Sequence, residues 1–101
     1  MKLVVLMSIE EHSRQLRNMM SEHKIPVFSG ADIEGYKTTD KHELETSWFA
    51  GATPGIFSHL YFAFVEQEKS TELLDAIEKY NNAHHGANPL RAYELNVERG
   101  V

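Results

Sequence analysis

Six histidines in 101 residues are the densest source of chemistry in the chain. His84 and His85 stand side by side before Gly86, in a stretch (His84–Pro89) that reads as a turn able to present both imidazoles to water. His59 lies within an aromatic segment, and His42 has Glu43 and Glu45 close behind it. Imidazole nitrogen with carboxylate oxygen suits a borderline divalent metal such as zinc, nickel or copper(II). His42, His59, His84 and His85 are therefore the candidate metal ligands. No HxH or HExxH spacing occurs, so a metal site would have to be assembled from separate segments or separate subunits. The plainer alternative is that His59 packs beside Tyr61 and that His84–His85 form a polar turn. Imidazoles titrating near neutrality also leave room for pH sensing.

Other chemistries find little support. The chain has no cysteine, which removes a thiolate nucleophile, a soft thiolate metal site and a disulfide framework. Ser8, Ser13 and Ser21 lack the context of a nucleophile elbow, and the carboxylates form no opposed pair. Asp32 and His59 fall on strands expected to be neighbours, which would permit a dyad, but no catalytic residue is assigned and an enzyme is not expected. The formal charge is −5, and ten lysines and arginines are spread thinly along the chain. That leaves no basic stripe for a phosphate backbone, so nucleic acid is not the expected partner. No apolar run approaches the length of a membrane span. Met1–Met7 is too short for a signal h-region and runs straight into Glu10–Glu11. A cytoplasmic location is the expectation.

The elements that must position these residues follow from periodicity. Lys2–Ser8 is almost wholly aliphatic and reads as a central strand, with Ser8 as the cap of a helix whose stripe is Ile9, His12, Leu16, Met19, Met20 and His23. His12 and His23 read as partly buried packing residues, and Arg14 and Arg17 lie on the wetter side. Pro26 stops that helix, and a strand follows from Val27 to about Tyr36. The stretch from Gly35 to Pro54 has no convincing period, and the long loop expected there spans about residues 37–54. Trp48 and Phe49 within it are either anchors or a contact surface for a partner.

Ile56–Glu66 then holds four of the nine phenylalanines and tyrosines, a strong strand composition. One of its faces carries Ile56, Ser58, Leu60, Phe62 and Phe64, and the other Phe57, His59, Tyr61, Ala63 and Val65. Both are apolar, so each needs a cover. Helices supply one, and a second copy of the chain is the simplest source of the other, with the His59 face expected at that interface. A second helix, capped by Ser70, repeats Leu73, Leu74, Ala76, Ile77 and Tyr80. Leu90–Val97 closes the chain as an alternating strand, with Arg91, Tyr93, Leu95 and Val97 on one side and Ala92, Glu94 and Asn96 on the other. The order is strand, helix, strand, strand, helix, strand. This predicts a single α+β domain over residues 1–101, a ferredoxin-like βαββαβ sandwich with a four-stranded antiparallel sheet and both helices on one face.

Three segments carry a family likeness: the opening strand Met1–Val5, the run Phe28–Tyr36 leading into the long loop, and Glu98–Gly100 after the closing strand. Through them the chain resembles the PII-like and CutA-type superfamily of trimeric signalling and metal-tolerance proteins. The resemblance implies a homotrimer, ligand sites in the clefts between subunits, and a loop after Gly35 that touches a partner protein. It also implies ligand-binding roles for Gly35, Tyr36 and Lys37 at the end of the second strand, for Gly86 in the last turn, and for Arg91 and Arg99 at the last strand. The turn His84–Pro89 holds no lysine, and Glu94 and Glu98 accompany the arginines. A triphosphate needs several aligned cations or backbone donors, so ATP is a poor fit and adenine nucleotide binding is not assigned. The resulting expectation is a regulator that senses a small ligand or metal between subunits and acts through the 37–54 loop, with Trp48 and Phe49 as partner contacts. The alternatives are a CutA-like protein binding a divalent metal and a small αβ-barrel enzyme of monooxygenase or isomerase type.

Overall fold

The computed structural model describes residues 1–36 and 55–101. Strand β1 (Lys2–Ile9) is followed by a single 3-10 turn (Glu10–His12) and helix α1 (Ser13–Glu22). Strands β2 (Ser29–Gly35) and β3 (Ile56–Val65), helix α2 (Gln67–Ala83) and strand β4 (Arg91–Asn96) complete the order. The sheet runs β2-β3-β1-β4 with every neighbouring pair antiparallel. This is the ferredoxin-like arrangement expected from the sequence. Long, aliphatic β1 and aromatic β3 occupy the centre, and the shorter, more polar β2 and β4 take the edges.

Both helices pack on one face. Val4 and Leu6 of β1, Tyr61, Ala63 and Val65 of β3, Leu16 and Met20 of α1, Leu73 and Ile77 of α2, and Leu90 form the core. The register dictates this selection, because Leu6 lies opposite Tyr61 and Val4 opposite Ala63, so all four point the same way. The expected orientation of β3 is thereby reversed. The face with His59 and Tyr61 lies beneath the helices, and the face with Leu60, Phe62 and Phe64 is bare of any cover among the described residues. Tyr61 decides the matter chemically. Its hydroxyl meets Ser13 Oγ at 2.5 Å and accepts from Arg17 at 3.0 Å, two partners that only α1 supplies. Arg17 is exposed, as expected of the wetter side of the helix, and its guanidinium also ties that turn to the sheet.

Several boundaries also differ from the expected ones. Ser8 does not cap a helix; it continues β1 opposite His59, and its buried Oγ has no hydrogen-bond partner among the described residues. Ile9 likewise belongs to the strand. Ser70 is wholly buried inside α2, which begins three residues earlier, and its hydroxyl donates to Glu94 Oε1 at 2.6 Å. Strand β2 is shorter than Val27–Tyr36, because Val27 lies outside the sheet and is 76% exposed.

Strand β4 turns Ala92 toward the core, while Tyr93 and Leu95 join Leu3, Val5, Phe62 and Phe64 on the bare face. Phe62, Phe64, Tyr93 and Leu95 are all exposed in the single chain.

Candidate functional site

A cleft of about 180 Å³ opens where the C-terminal ends of β1 and β2 and the start of β4 meet the turn after α2. Met7 and Ile9 of β1, Ile33 and Gly35 of β2, and Ser58 of β3 form its floor, with Ser8 beside them. Ala87, Asn88 and Pro89 form one wall and Arg91 supplies a cation. The register places Met7, Ile9, Ile33, Gly35, Ser58 and Arg91 on the bare face of the sheet, so the cleft is continuous with it. A Cβ at Gly35 would make only ordinary van der Waals contact with Ser58 Oγ, 3.6 Å away. Ser58 Oγ is held locally by donation to the Ile56 carbonyl at 3.0 Å.

The turn that makes the wall is pinned at both ends. Before it, the His84 backbone N–H donates to the Tyr80 carbonyl at 2.9 Å, its Nδ1 sits 3.0 Å from the same oxygen, and its ring stacks on Tyr80. After it, the Asn81 amide grips both sides of the buried Leu90 backbone. Asn81 Nδ2 donates to the Leu90 carbonyl at 2.8 Å, and the Leu90 N–H donates to Asn81 Oδ1 at 3.0 Å. This fixes where the chain enters β4, and with it the root of Arg91. A larger groove of about 460 Å³ runs between α2 and β4 and shares Pro89 and Arg91. Its walls come only from α2, β4 and the segment leading into β4, with Glu78 facing in beside the single arginine. The smaller cleft is the better candidate because four parts of the chain converge there.

At the rim, Gly35–Tyr36 and Gly55–Ile56 form the two ends of the 37–54 stretch. Gly55 is buried because the Tyr36 ring lies over it: an added Cβ would meet that ring at 2.8 Å. The Tyr36 hydroxyl donates to Glu34 Oε2 at 2.7 Å. That bond, together with the carboxylate charge, raises the Tyr36 phenol above its ordinary value.

Of the ligand residues expected from the sequence, Gly35 and Arg91 line the cleft and Gly86 directly precedes its wall. Tyr36 adjoins it but turns to the opposite face. Arg99 lies beyond the far end of β4, roughly 17 Å or more along the strand from Arg91, so it does not reach the cleft of its own chain. Lys37, His42, Trp48 and Phe49 lie outside the described residues. The remaining histidines are dispersed. His59 Nδ1 pairs with Asp32 Oδ1 at 3.0 Å across β2 and β3, His84 rests on Tyr80, and His85 is exposed. Among the described residues no three histidines or carboxylates come together as metal ligands.

Sequence reasoning missed Ser8, Ile9, Ile33 and Ser58 as lining residues and Asn81 as the anchor of the turn. The strand residues could have been found by pairing β1, β2 and β3 in register. Asn81 carries no local signal, since its partner is nine positions away.

No family model matches this chain, and no curated protein matches it. Its fold, however, is that of several solved structures. A candidate PII-like signalling protein of Thermus thermophilus superposes with a TM-score of 0.66 at 14% identity, covering 95% of this chain and 85% of that one. CPII, a nitrogen regulatory PII-like protein from Thiomonas intermedia, matches with a TM-score of 0.62 at 12% identity in its complex with ADP, AMP and bicarbonate; 99% of this chain and 94% of that one are covered. The apo form of CPII gives 0.59 at 12% identity over 93% and 89%. The described residues thus have the fold of PII-like proteins.

Proposed function

We propose that this chain is a PII-like regulator that binds a small anionic ligand in the Gly35–Arg91 cleft and reports its occupancy to a partner protein through the 37–54 stretch. The observation that carries the reading is the convergence at one cleft of the root of that stretch, the pinned turn Ala87–Pro89 and, among the described residues, the single cation Arg91. Pockets for small molecules usually enclose about 300–1,000 Å³, more than the roughly 180 Å³ of this cleft in one subunit. The cleft opens onto the bare apolar face, and a neighbouring copy seated on that face would complete it. In that assembly, which we take to be a trimer as the fold likeness suggests, a neighbour's Arg99 could supply a second cation. One or two arginines suit a mono- or diphosphate, or a small oxyanion such as bicarbonate, better than a triphosphate.

Calorimetric titration with AMP, ADP, ATP, bicarbonate and divalent zinc or nickel, with a native mass measurement of the oligomer, tests this directly. AMP or ADP should bind more tightly than ATP, and Arg91→Ala should weaken that binding at least tenfold. Failure of every anion to bind would overturn the proposal, and binding of a metal alone would favour the CutA-like alternative.

A further inference from the structure

The stem of the β2–β3 hairpin exposes a second surface, away from the cleft. In the register, Asp32 lies opposite His59 and Glu34 opposite Phe57, and Tyr36 reaches across Gly55. All share the sheet face that carries Tyr61, but they lie toward the end of the hairpin that the helices leave uncovered. Phe57 is 65% exposed and Tyr36 71%, and the Asp32 side chain is 88% exposed. Two large aromatic side chains in water, interleaved with two carboxylates, need an occupant that satisfies both kinds of group. The carboxylates are already oriented. Tyr36 donates to Glu34 Oε2 and Asp32 meets His59 through Oδ1, and among the described residues Glu34 Oε1 and Asp32 Oδ2 have no partner.

We propose that this stem face docks an arginine-bearing segment of a partner protein. A guanidinium stacks on an aromatic face and at the same time directs paired N–H groups at a carboxylate. A lysine ammonium supplies the charge without the planar stack. A purely apolar partner would bury Asp32 and Glu34 without compensation, and an acidic one would be repelled by them and by the net charge of −5. The 37–54 stretch that leaves this stem has the same sign, with Asp40, Glu43 and Glu45 against Lys37 and Lys41. The docking needs no ligand in the cleft, so it stands or falls separately from the function proposed above.

The test is a titration of the isotopically labelled full chain with the blocked peptide Gly-Arg-Gly-Arg-Gly, followed by NMR at low salt, with matched lysine and glutamate peptides. The arginine peptide should shift the resonances of Asp32, Glu34, Tyr36 and Phe57. The lysine peptide should bind more weakly, and the glutamate peptide should leave the stem unchanged. Phe57→Ala should weaken the arginine peptide roughly fivefold, the size expected of an exposed cation–π contact. Glu34→Gln, which keeps the bulk and removes the charge, should also weaken it and should reduce its salt dependence. Equal binding of the lysine peptide that ignores Phe57→Ala would overturn the proposal. So would a shift of the Asp32, Glu34, Tyr36 and Phe57 side-chain resonances when the native oligomer is diluted to monomer before peptide is added, which would assign this face to a second copy of the chain.

Discussion

Tyr61 is held from every side. Its hydroxyl is bound by Ser13 and Arg17, the Phe28 ring meets it edge-on at 5.8 Å, and His59 stacks beside it. Opposite it in β2 stands Gly30, where an added Cβ would lie 2.8 Å from two ring carbons. With the ring so constrained, the contact cannot relax by a rotamer change, and the backbone of an edge strand must move instead. Gly30→Ala should therefore destabilise the fold by about 1–3 kcal/mol, read as a lower urea midpoint at unchanged slope. A second residue-scale effect concerns acid. The Ser70 hydroxyl, with help from Gln67 and Lys2, holds the Glu94 carboxyl below its ordinary 4.5, against the opposing effect of partial desolvation. A carboxylate with a depressed folded pKa contributes stability above its unfolded value and loses it as pH falls through the folded one. Ser70→Ala should remove most of that contribution, so stability should fall less steeply with acid below about pH 4.5 in the variant, measured by urea unfolding across pH 2.5–6.

At the scale of the elements, α1 ends in a Schellman turn. Ile25 N–H returns to the Met20 carbonyl and Lys24 N–H to that of Ser21, both at 3.0 Å, which forces Lys24 to a φ of 57°. A side chain in that left-handed region carries a penalty that glycine escapes. Lys24→Gly should stabilise the protein by about 0.5–1 kcal/mol, visible as a raised urea midpoint. The order of strands and helices was legible in the sequence because α1 and α2 keep a period of 3.6, β1 and β3 are short aliphatic and aromatic runs, and β4 alternates. Which face of β3 meets the helices was not, because both faces are apolar. The choice turns on the Tyr61 hydroxyl finding partners on α1, a tertiary fact. The boundaries at Ser8 and Ser70 failed for a related reason. Serine is a good cap by propensity, yet Ser8 is kept in the strand by pairing with His59, and Ser70 is drawn inward by Glu94. Of the cleft, Gly35 and Arg91 were visible through family likeness, while its floor depends on the register between strands.

For the molecule as a whole, the bare sheet face is the dominant surface. Phe62, Phe64, Tyr93 and Leu95 stand on it with Leu3 and Val5 beneath them. Among the described residues nothing from the same chain covers that face, so folding and association should be linked. Leu95→Lys should split the oligomer, giving the monomer mass in sedimentation and a thermal midpoint that no longer rises with protein concentration. Arg91 lies in the cleft and, through its pairing with Met7, on that same bare face. In the assembly proposed above, effector binding and association share this side chain and must obey reciprocity: whatever the effector adds to subunit cohesion, cohesion returns to the effector in equal measure. Dilution should then slacken the grip on the effector, making the chain's own abundance one of the quantities it reports.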